Sequence, residues 1–258
     1  MTIAVGLATT VALVARQAGA LNASGALAAA IVGTCAMVAG WGWGVVLVAY
    51  FVSSSALSRV GEQDRALATA DRVDKHGPRD AAQVVANGGM FALAAVGYRL
   101  HPHPLWQALG IGALAASAAD TWATELGTLA RATPRSILTW RPVPVGTSGG
   151  VTMQGFGAGI AGAALLATLV WALRWPASTV VAAMIGGIAG CLLDSVVGAS
   201  LQARRWCATC RTATEQRLHR CGTMTDVTGG ISWLNNDGVN VIGTIGGALF
   251  GAAGSGYF

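Results

Sequence analysis

Four acidic residues, Asp120, Glu125, Asp194 and Asp237, stand in stretches otherwise rich in Ala, Gly, Val, Leu and Ile. A carboxylate inside a membrane-spanning helix costs roughly 2.5–3.5 kcal/mol even on the mildest insertion scale. Such groups therefore face a bundle interior or a polar cavity, and mark a site for a cation, a proton or a cation-loaded phosphate. Two segments share one pattern: Asp120-Thr-Trp-Ala-Thr-Glu125-Leu-Gly127 and Asp194-Ser195-Val-Val-Gly198 each run from an Asp through a hydroxyl to a Gly. The pattern reads as an internal repeat, which would set two half-sites against one cavity. Two carboxylates converging on one hard cation are ordinary Mg2+ chemistry, with substrate phosphates completing the octahedron. A proton relay or a hydrogen bond between helices is the plainer alternative.

Further polar groups repeat at helical spacing. In Asn235-Asn236-Asp237-Gly238-Val-Asn240, Asn236 and Asn240 share a helix face beside Asp237, a set suited to Mg2+ or a ribose. A helix cap alone accounts for the Asn, Asp and Gly but not for Asn240. Arg79, Gln83 and Asn87 step by four along one face, and Arg suits bidentate phosphate contact; an interfacial Arg with amide bonds between helices is an equal alternative. Gly146-Thr147-Ser148-Gly149-Gly150 precedes an apolar run and can form a nest of backbone N–H groups for an anion, beside Arg135 and Arg141. No Lys follows the glycines, so it is not a P-loop. Cys207-Ala-Thr-Cys210 followed by His219-Arg-Cys221 has the ligand types and spacing of a structural Zn2+ site; three free thiols in a surface loop are the alternative. Cys35 and Cys191 lie in apolar runs and read as packing residues, and His101-Pro-His103 as a rigid connection.

These groups need elements to hold them. Of 258 residues, 53% are hydrophobic and 10% charged, against about 25% charged in a soluble domain, and mean hydropathy is +0.56. The chain reads as all-α: one polytopic integral membrane helical bundle over residues 1–258. Eight apolar segments run over about 2–15, 21–40, 41–57, 81–98, 105–129, 152–173, 177–201 and 238–256. The span count is about seven to eight. The first segment is short for a bilayer that needs about 20 residues, and the second and third run together around Gly40-Trp-Gly-Trp-Gly44, so either could be re-entrant. The 36 glycines fit close helix approach. No cleavable signal-peptide pattern is seen.

Cations concentrate in three connections, at about 58–80, 130–151 and 202–232: Arg59, Arg65, Arg72, Lys75 and Arg79, then Arg131, Arg135 and Arg141, then Arg204, Arg205, Arg211, Arg217 and Arg220. Arg16, Arg99 and Arg174 are left for the alternate connections. The three loops share one parity, and the positive-inside rule makes that side cytoplasmic. The amino terminus is then outside, and a bacterial inner membrane is the expected location. The net charge of +5 belongs to these loops and implies no nucleic acid. The stretch 60–76 reads as a solvated helix or flexible loop, and Trp41, Trp43, Trp106, Trp140, Trp171, Trp175 and Trp206 as an interfacial belt. Every intramembrane polar cluster lies within about 15 Å of the cytoplasmic face, at about 1.5 Å per helical residue. A coupling-ion site would sit nearer the midplane; a site at the face suits an enzyme joining a soluble and a lipid substrate.

The string Asp120-Thr-Trp-Ala-Thr-Glu125-Leu-Gly127, then Pro134-Arg135, then Pro142-Val-Pro-Val-Gly-Thr-Ser-Gly-Gly-Val151, resembles the transmembrane protein 19-like family (domain of unknown function 92). So do Arg79-Asp80 through Gln83, Ala86-Asn87-Gly88, the Asp194-Ser195 segment, His219 with Cys221-Gly222, and Asn236-Asp237 with Asn240. That family includes phytyl-phosphate kinases, and is distantly similar to CTP-using polyprenol kinases and phosphatidate cytidylyltransferases. The resemblance implies a membrane-embedded, Mg2+-dependent isoprenoid-phosphate kinase, drawing a prenyl monophosphate from the bilayer and a nucleoside triphosphate, CTP or ATP, from the cytosol. Under it Asp120, Glu125, Asp194 and Asp237 hold Mg2+; Thr147, Ser148, Gly149 and Gly150 cradle phosphates; and Arg79 or Arg135 clamps one, with Gln83, Asn87, Ser195, Asn236 and Asn240 beside the substrates. A CTP-dependent prenol kinase or lipid cytidylyltransferase is the first rival, and a transporter of a lipid phosphate or small anion the second. Prenyl chain length, nucleotide and oligomeric state, a homo-oligomer included, stay open.

Overall fold

The computed structural model describes residues 1–257. All eight apolar segments are helices: α1 (Thr2–Gln17), α2 (Ala23–Ala39), α3 (Trp41–Arg59), α5 (Ala81–Leu100), α6 (Pro104–Gly127), α7 (Met153–Ala172), α8 (Ala177–Ser200) and α9 (Asn236–Gly254), with a short α4 (Glu62–Thr69) in the first cationic connection. The two joined segments separate into α2 and α3. Each is one unbroken helix, and the chain reverses between them at Gly40, whose φ of 141° is open to glycine and strained for other residues. Helix starts follow local chemistry: Asn22, Thr152 and Asn235 each accept an amide N–H from three residues on, and Asp80 forms a reciprocal capping box with Gln83.

Helices α3, α5, α7 and α8 are long and apolar enough to cross a bilayer on their own composition, whereas α1 and α2 are shorter apolar helices. The acid-bearing α6 is protected differently. Every residue from Gln107 to Ala119 is buried, so its polar groups meet protein instead of lipid. Around it α5, α7, α8 and α9 pack closely.

The seam of α6, α8 and α9 is built from small residues four apart: Gly112 and Ala116, Gly186 and Gly190, Gly243 and Gly247. A methyl group placed on Gly186 would lie 2.7 Å from Gly112 Cα, and one on Gly247 would lie 2.5 Å from Ala116 Cβ. The backbones therefore touch, as small residues permit in membrane helices. One step further on, the same stripes carry Asp120 on α6 and Asp194 on α8, adjacent helices that run in the same direction.

The bundle is all-α, as expected, and its connections add short strands. β1 (Arg135–Ser136) pairs antiparallel with β2 (Gly150–Val151), and β4 (Thr212–Thr214), β3 (Arg204–Cys207) and β5 (Asp226–Gly229) form a three-stranded antiparallel sheet in that order. These strands are only two to four residues long, below the length at which alternation can be read from sequence.

The cationic connections are bound to one another at one end of the bundle. Glu215 N–H donates to Arg72 O at 2.9 Å, Gln216 Nε2 donates to Ala70 O and Val73 O, both at 2.9 Å, and Ser148 Oγ donates to Gln202 Oε1 at 2.9 Å. The α1–α2 turn joins them: Asn22 N–H donates to Arg79 O, and Arg79 N–H to Ala20 O. Arg16 therefore shares the end of the other cations instead of the alternate one, because the turn after the first segment has the parity of those after the third, fifth and seventh. Trp43 also departs from the expected belt. It is 2% exposed and packs on Phe91, Tyr98 and Trp175, while Trp41 and Trp171 are exposed.

Candidate active site

At the end where the connections gather, the helices part around a polar cavity of about 540 Å³. It is lined by all four acids and by Arg79, Gln83, Asn87, Thr147, Ser148, Gly149, Gly150, Ser195, Asn236 and Asn240. Of the site residues expected from sequence, Arg135 is not brought here. It is exposed on β1, and its Nη1 donates to Trp140 O in its own turn at 2.9 Å.

The four acids do not act as one set. Asp120 and Asp194 face each other across the α6–α8 seam, within hydrogen-bonding reach. Asn240, with its amide nitrogen turned to the acid, donates to Asp194 Oδ2 at 3.0 Å. Glu125 stands apart: Ser58 Oγ donates to its Oε1 at 2.5 Å, and Arg65 Nε lies 2.7 Å from its Oε2. Ser58 Oγ also accepts from Arg79 Nη2 at 3.1 Å, while Arg79 Nη1 donates to Ser55 Oγ at 2.9 Å. Asp237 is paired with Lys75 Nζ at 2.5 Å, and the same ammonium reaches Asp80 Oδ2 at 2.7 Å. Burial works against the Lys75 charge, but hydrogen bonds to Asp237 and Asp80 overcome it and hold the ammonium above the ordinary lysine range. Of the four acids expected to hold Mg2+, the structure brings Asp120 and Asp194 together and sets Glu125 and Asp237 each beside a protein cation.

Gln83 and Asn87 line the cavity while holding the frame: Gln83 Oε1 accepts from Asp80 N–H, and Ser117 Oγ donates to Asn87 O and Oδ1 at 2.9 and 3.1 Å. In the Gly-Thr-Ser-Gly-Gly turn, Thr147 Oγ1 donates to Pro144 O, and Ser148 Oγ donates to Gln202 Oε1 and to Glu215 Oε1 at 2.9 and 2.6 Å. The hydroxyls are thereby engaged, and backbone is what the turn offers the cavity. Gly149, at φ +72°, rests against Ser195 O and Ala199 on α8. Burial pushes the Glu215 carboxyl up to about 7.

Sequence reasoning missed Ser55, Ser58, Arg65 and Glu215 as site groups, and left Lys75 in a loop of no assigned role. All five line the cavity. Lys75, the one lysine among the sixteen basic residues, was the available signal; the serines, common in helices, offered none.

The Cys/His group is assembled. Ligand atoms of Cys207, Cys210, His219 and Cys221 all lie within 4.8 Å of one another. Cys207 Sγ and Cys221 Sγ are 3.6 Å apart, close to the sulfur–sulfur edge of about 3.8 Å that follows from tetrahedral Zn–S bonds of about 2.3 Å. Cys210 N–H donates to Cys207 Sγ, and Arg211 turns the β3–β4 hairpin with φ of 53°. His219 is 1% exposed, with Nδ1 3.2 Å from Cys221 Sγ. Its Nε2 is buried, without a hydrogen-bond partner among the described residues, and 3.7 Å from Asp71 Oδ1. Hydrogen bonds from Thr223 and His219 lower the Cys221 thiol to about 6.

The sequence profile of the family described as integral membrane protein DUF92 matches residues 6–248. The chain belongs to that family. Among its relatives, Protein PGR of Arabidopsis thaliana is 29% identical over 93% of this chain and 90% of its own length. An uncharacterized membrane protein of Methanocaldococcus jannaschii is 30% identical over 93% and 88%. The chloroplastic Protein VTE6 of Arabidopsis thaliana is 30% identical over 86% of this chain and 61% of its own. No solved structure is a significant match. The matched range of the DUF92 profile takes in the whole cavity and the Cys/His loop.

Proposed function

We propose that this DUF92 protein is a membrane-embedded kinase that transfers a phosphoryl group from a nucleoside triphosphate, CTP or ATP, to an isoprenoid monophosphate, giving the diphosphate. The observation that carries the reading is the apposition of Asp120 and Asp194 in one polar cavity with Arg79 and Lys75. Two carboxylates that face each other in a low-dielectric seam repel unless a cation or a proton lies between them. Hard oxygen donors from two helices, with room beside them for phosphate oxygens, fit Mg2+, which when bound would neutralise the charge developing on the transferred phosphate. The chain's own residues do the positioning. Arg79, steadied by Ser55 and Ser58, holds the lipid phosphate, and Lys75 meets the triphosphate at the mouth. The backbone of Gly149 and Gly150 lies alongside, and Asn240 orients Asp194. Phosphoryl transfer is achieved largely by such positioning and charge neutralisation.

The same reading puts the cavity on the cytoplasmic face of a bacterial inner membrane, where the cationic connections meet the nucleotide. It puts Zn2+ in the Cys/His group. His219 Nδ1 and three thiolates would be its ligands, and Asp71 would face the other ring nitrogen in the manner of carboxylate–histidine–zinc triads. That ion would fasten residues 202–232 to the α4 connection.

The test is purified protein in detergent with phytyl or geranylgeranyl monophosphate, Mg2+ and each nucleoside triphosphate, read by mass spectrometry. A prenyl diphosphate, lost with EDTA, is the expected product. An added CMP would make it a cytidylyltransferase, a phosphorylated free prenol a prenol kinase, and phosphate flux in proteoliposomes without nucleotide a transporter.

A further inference from the structure

A second cavity, of about 110 Å³, lies between α1, α2, α3 and α5. Its walls are apolar and mostly small: Val11 and Ala12 on α1, Val32 and Gly33 on α2, Val48 and Phe51 on α3. One end is different. There the lining becomes Ser54, Arg79, Gln83 and Asn87, and the last three also line the polar cavity. The two spaces therefore meet at Arg79, Gln83 and Asn87. Along α3 the slot runs from Gly44 to Ser54, about 15 Å at about 1.5 Å per residue. Val11 and Val48 are each about two-fifths exposed, so the slot opens sideways onto the surface that apolar helices turn to lipid.

Ser54 supplies an independent sign of a ligand. It is 1% exposed, and its hydroxyl has no hydrogen-bond partner among the described residues. A buried hydroxyl without a partner costs about 1–3 kcal/mol, and serines in apolar helices usually avoid it by bonding back to the preceding turn, as Ser53 Oγ does to Tyr50 O. The Ser54 hydroxyl stands at the polar end of an apolar slot, next to a guanidinium. An occupant with an oxygen-rich anionic head and an apolar tail satisfies every part of this lining, whereas a water-soluble anion leaves the walls empty and a plain hydrocarbon leaves Ser54 and Arg79 unanswered.

We infer that this slot binds the tail of a single-chain lipid phosphate, with the ester end at Ser54 and the phosphate passed to Arg79 at the threshold of the polar cavity. The inference rests on reading the polar cavity as a lipid-phosphate site, and extends it by naming where the chain lies and which helices select it. Val48→Trp fills the slot midway, and Val48→Ala widens it. With the intact protein in detergent, Val48→Trp should raise KM for geranylgeranyl monophosphate more than tenfold while leaving values for dimethylallyl monophosphate within twofold; Val48→Ala should leave both within threefold. An equal change for both chain lengths, or none for either, overturns the slot. Binding is read separately, without nucleotide, by photo-crosslinking a geranylgeranyl monophosphate that carries a diazirine near its tail end. Label on residues 2–17 and 41–59 is the expected result. Label there without turnover under any donor keeps the slot and removes the kinase. Turnover with label only on other helices keeps the kinase and removes the slot.

Discussion

The seam of α6, α8 and α9 and the cap of connections above it solve the same problem, fixing polar groups at the end of an apolar bundle, by opposite means. In the seam, Gly112, Gly186 and Gly247 bring backbones into contact, and the carboxylates of Asp120 and Asp194 follow as the next step of the same stripes. Position there comes from steric exclusion. In the cap, Arg65, Lys75, Ser148 and Glu215 are placed by hydrogen bonds and ion pairs between segments far apart in sequence, and by the Cys/His group. The packing of the seam should be insensitive to salt and chelators and intolerant of volume; the fold of the cap should be the reverse.

The largest effect should come from the seam. Asp120→Asn and Asp194→Asn are each expected to lower kcat about a thousandfold, the order seen when one charge-stabilising group is removed, with the melting temperature retained because volume is unchanged. Full turnover in both variants removes the metal-holding role. Next, the proposed Zn2+ is expected to hold the cap together. Protein as isolated is expected to carry about one equivalent of zinc by elemental analysis; Cys207→Ser should lose it and open residues 202–232 to protease while leaving the helices intact by circular dichroism. Zinc bound equally by wild type and Cys207→Ser would move the ligand set elsewhere.

Lys75→Met should act more mildly, raising KM for the nucleotide about threefold to fivefold with kcat within twofold. An exposed or half-exposed cation contributes on that order, and the side chain is 33% exposed. An unchanged nucleotide KM would leave Lys75 a structural bridge between Asp80 and Asp237.

The smallest effect concerns pH. Glu215 has a carboxyl raised from 4.5 to about 7 by burial, so the folded protein holds more protons than the unfolded chain between those values. Stability contributed by this group therefore falls as pH rises from about 4.5 to about 7 and is level above. Glu215→Gln, which keeps an acceptor for Ser148, should raise the melting temperature at pH 8 by about 2–4 °C and leave it unchanged at pH 4. A rise of the same size at both values would mean that the gain comes from packing and not from the buried charge.

The contrast also explains what was legible. Helices α1 to α3 and α5 to α9 were readable because each is a long apolar run, and Asp120 and Asp194 because a carboxylate in such a run is costly enough to stand out. The pairing of Glu125 with Arg65, and of Asp237 with Lys75, was not: both cations sit in a stretch whose mixed charges look like any solvated segment, and only the folded connections bring them over the cavity. Arg135 was over-read for the converse reason, its proximity in sequence to the glycine turn standing in for proximity in space. The Cys/His group was legible because its thiols and imidazole recur at short spacings within one connection.

The crossing of α6, α8 and α9 bears on how the molecule can move. Where Gly112, Gly186 and Gly247 meet there is no side chain to act as a bearing, so those three helices form a keystone that can neither slide nor rock without parting main chain from main chain. Any movement is left to the leaf of α1, α2 and α3, which touches the keystone through ordinary side chains. Under the proposed lipid-phosphate reading, such a body would work as a fixed jaw with one movable side, an arrangement suited to taking up a long molecule from the bilayer.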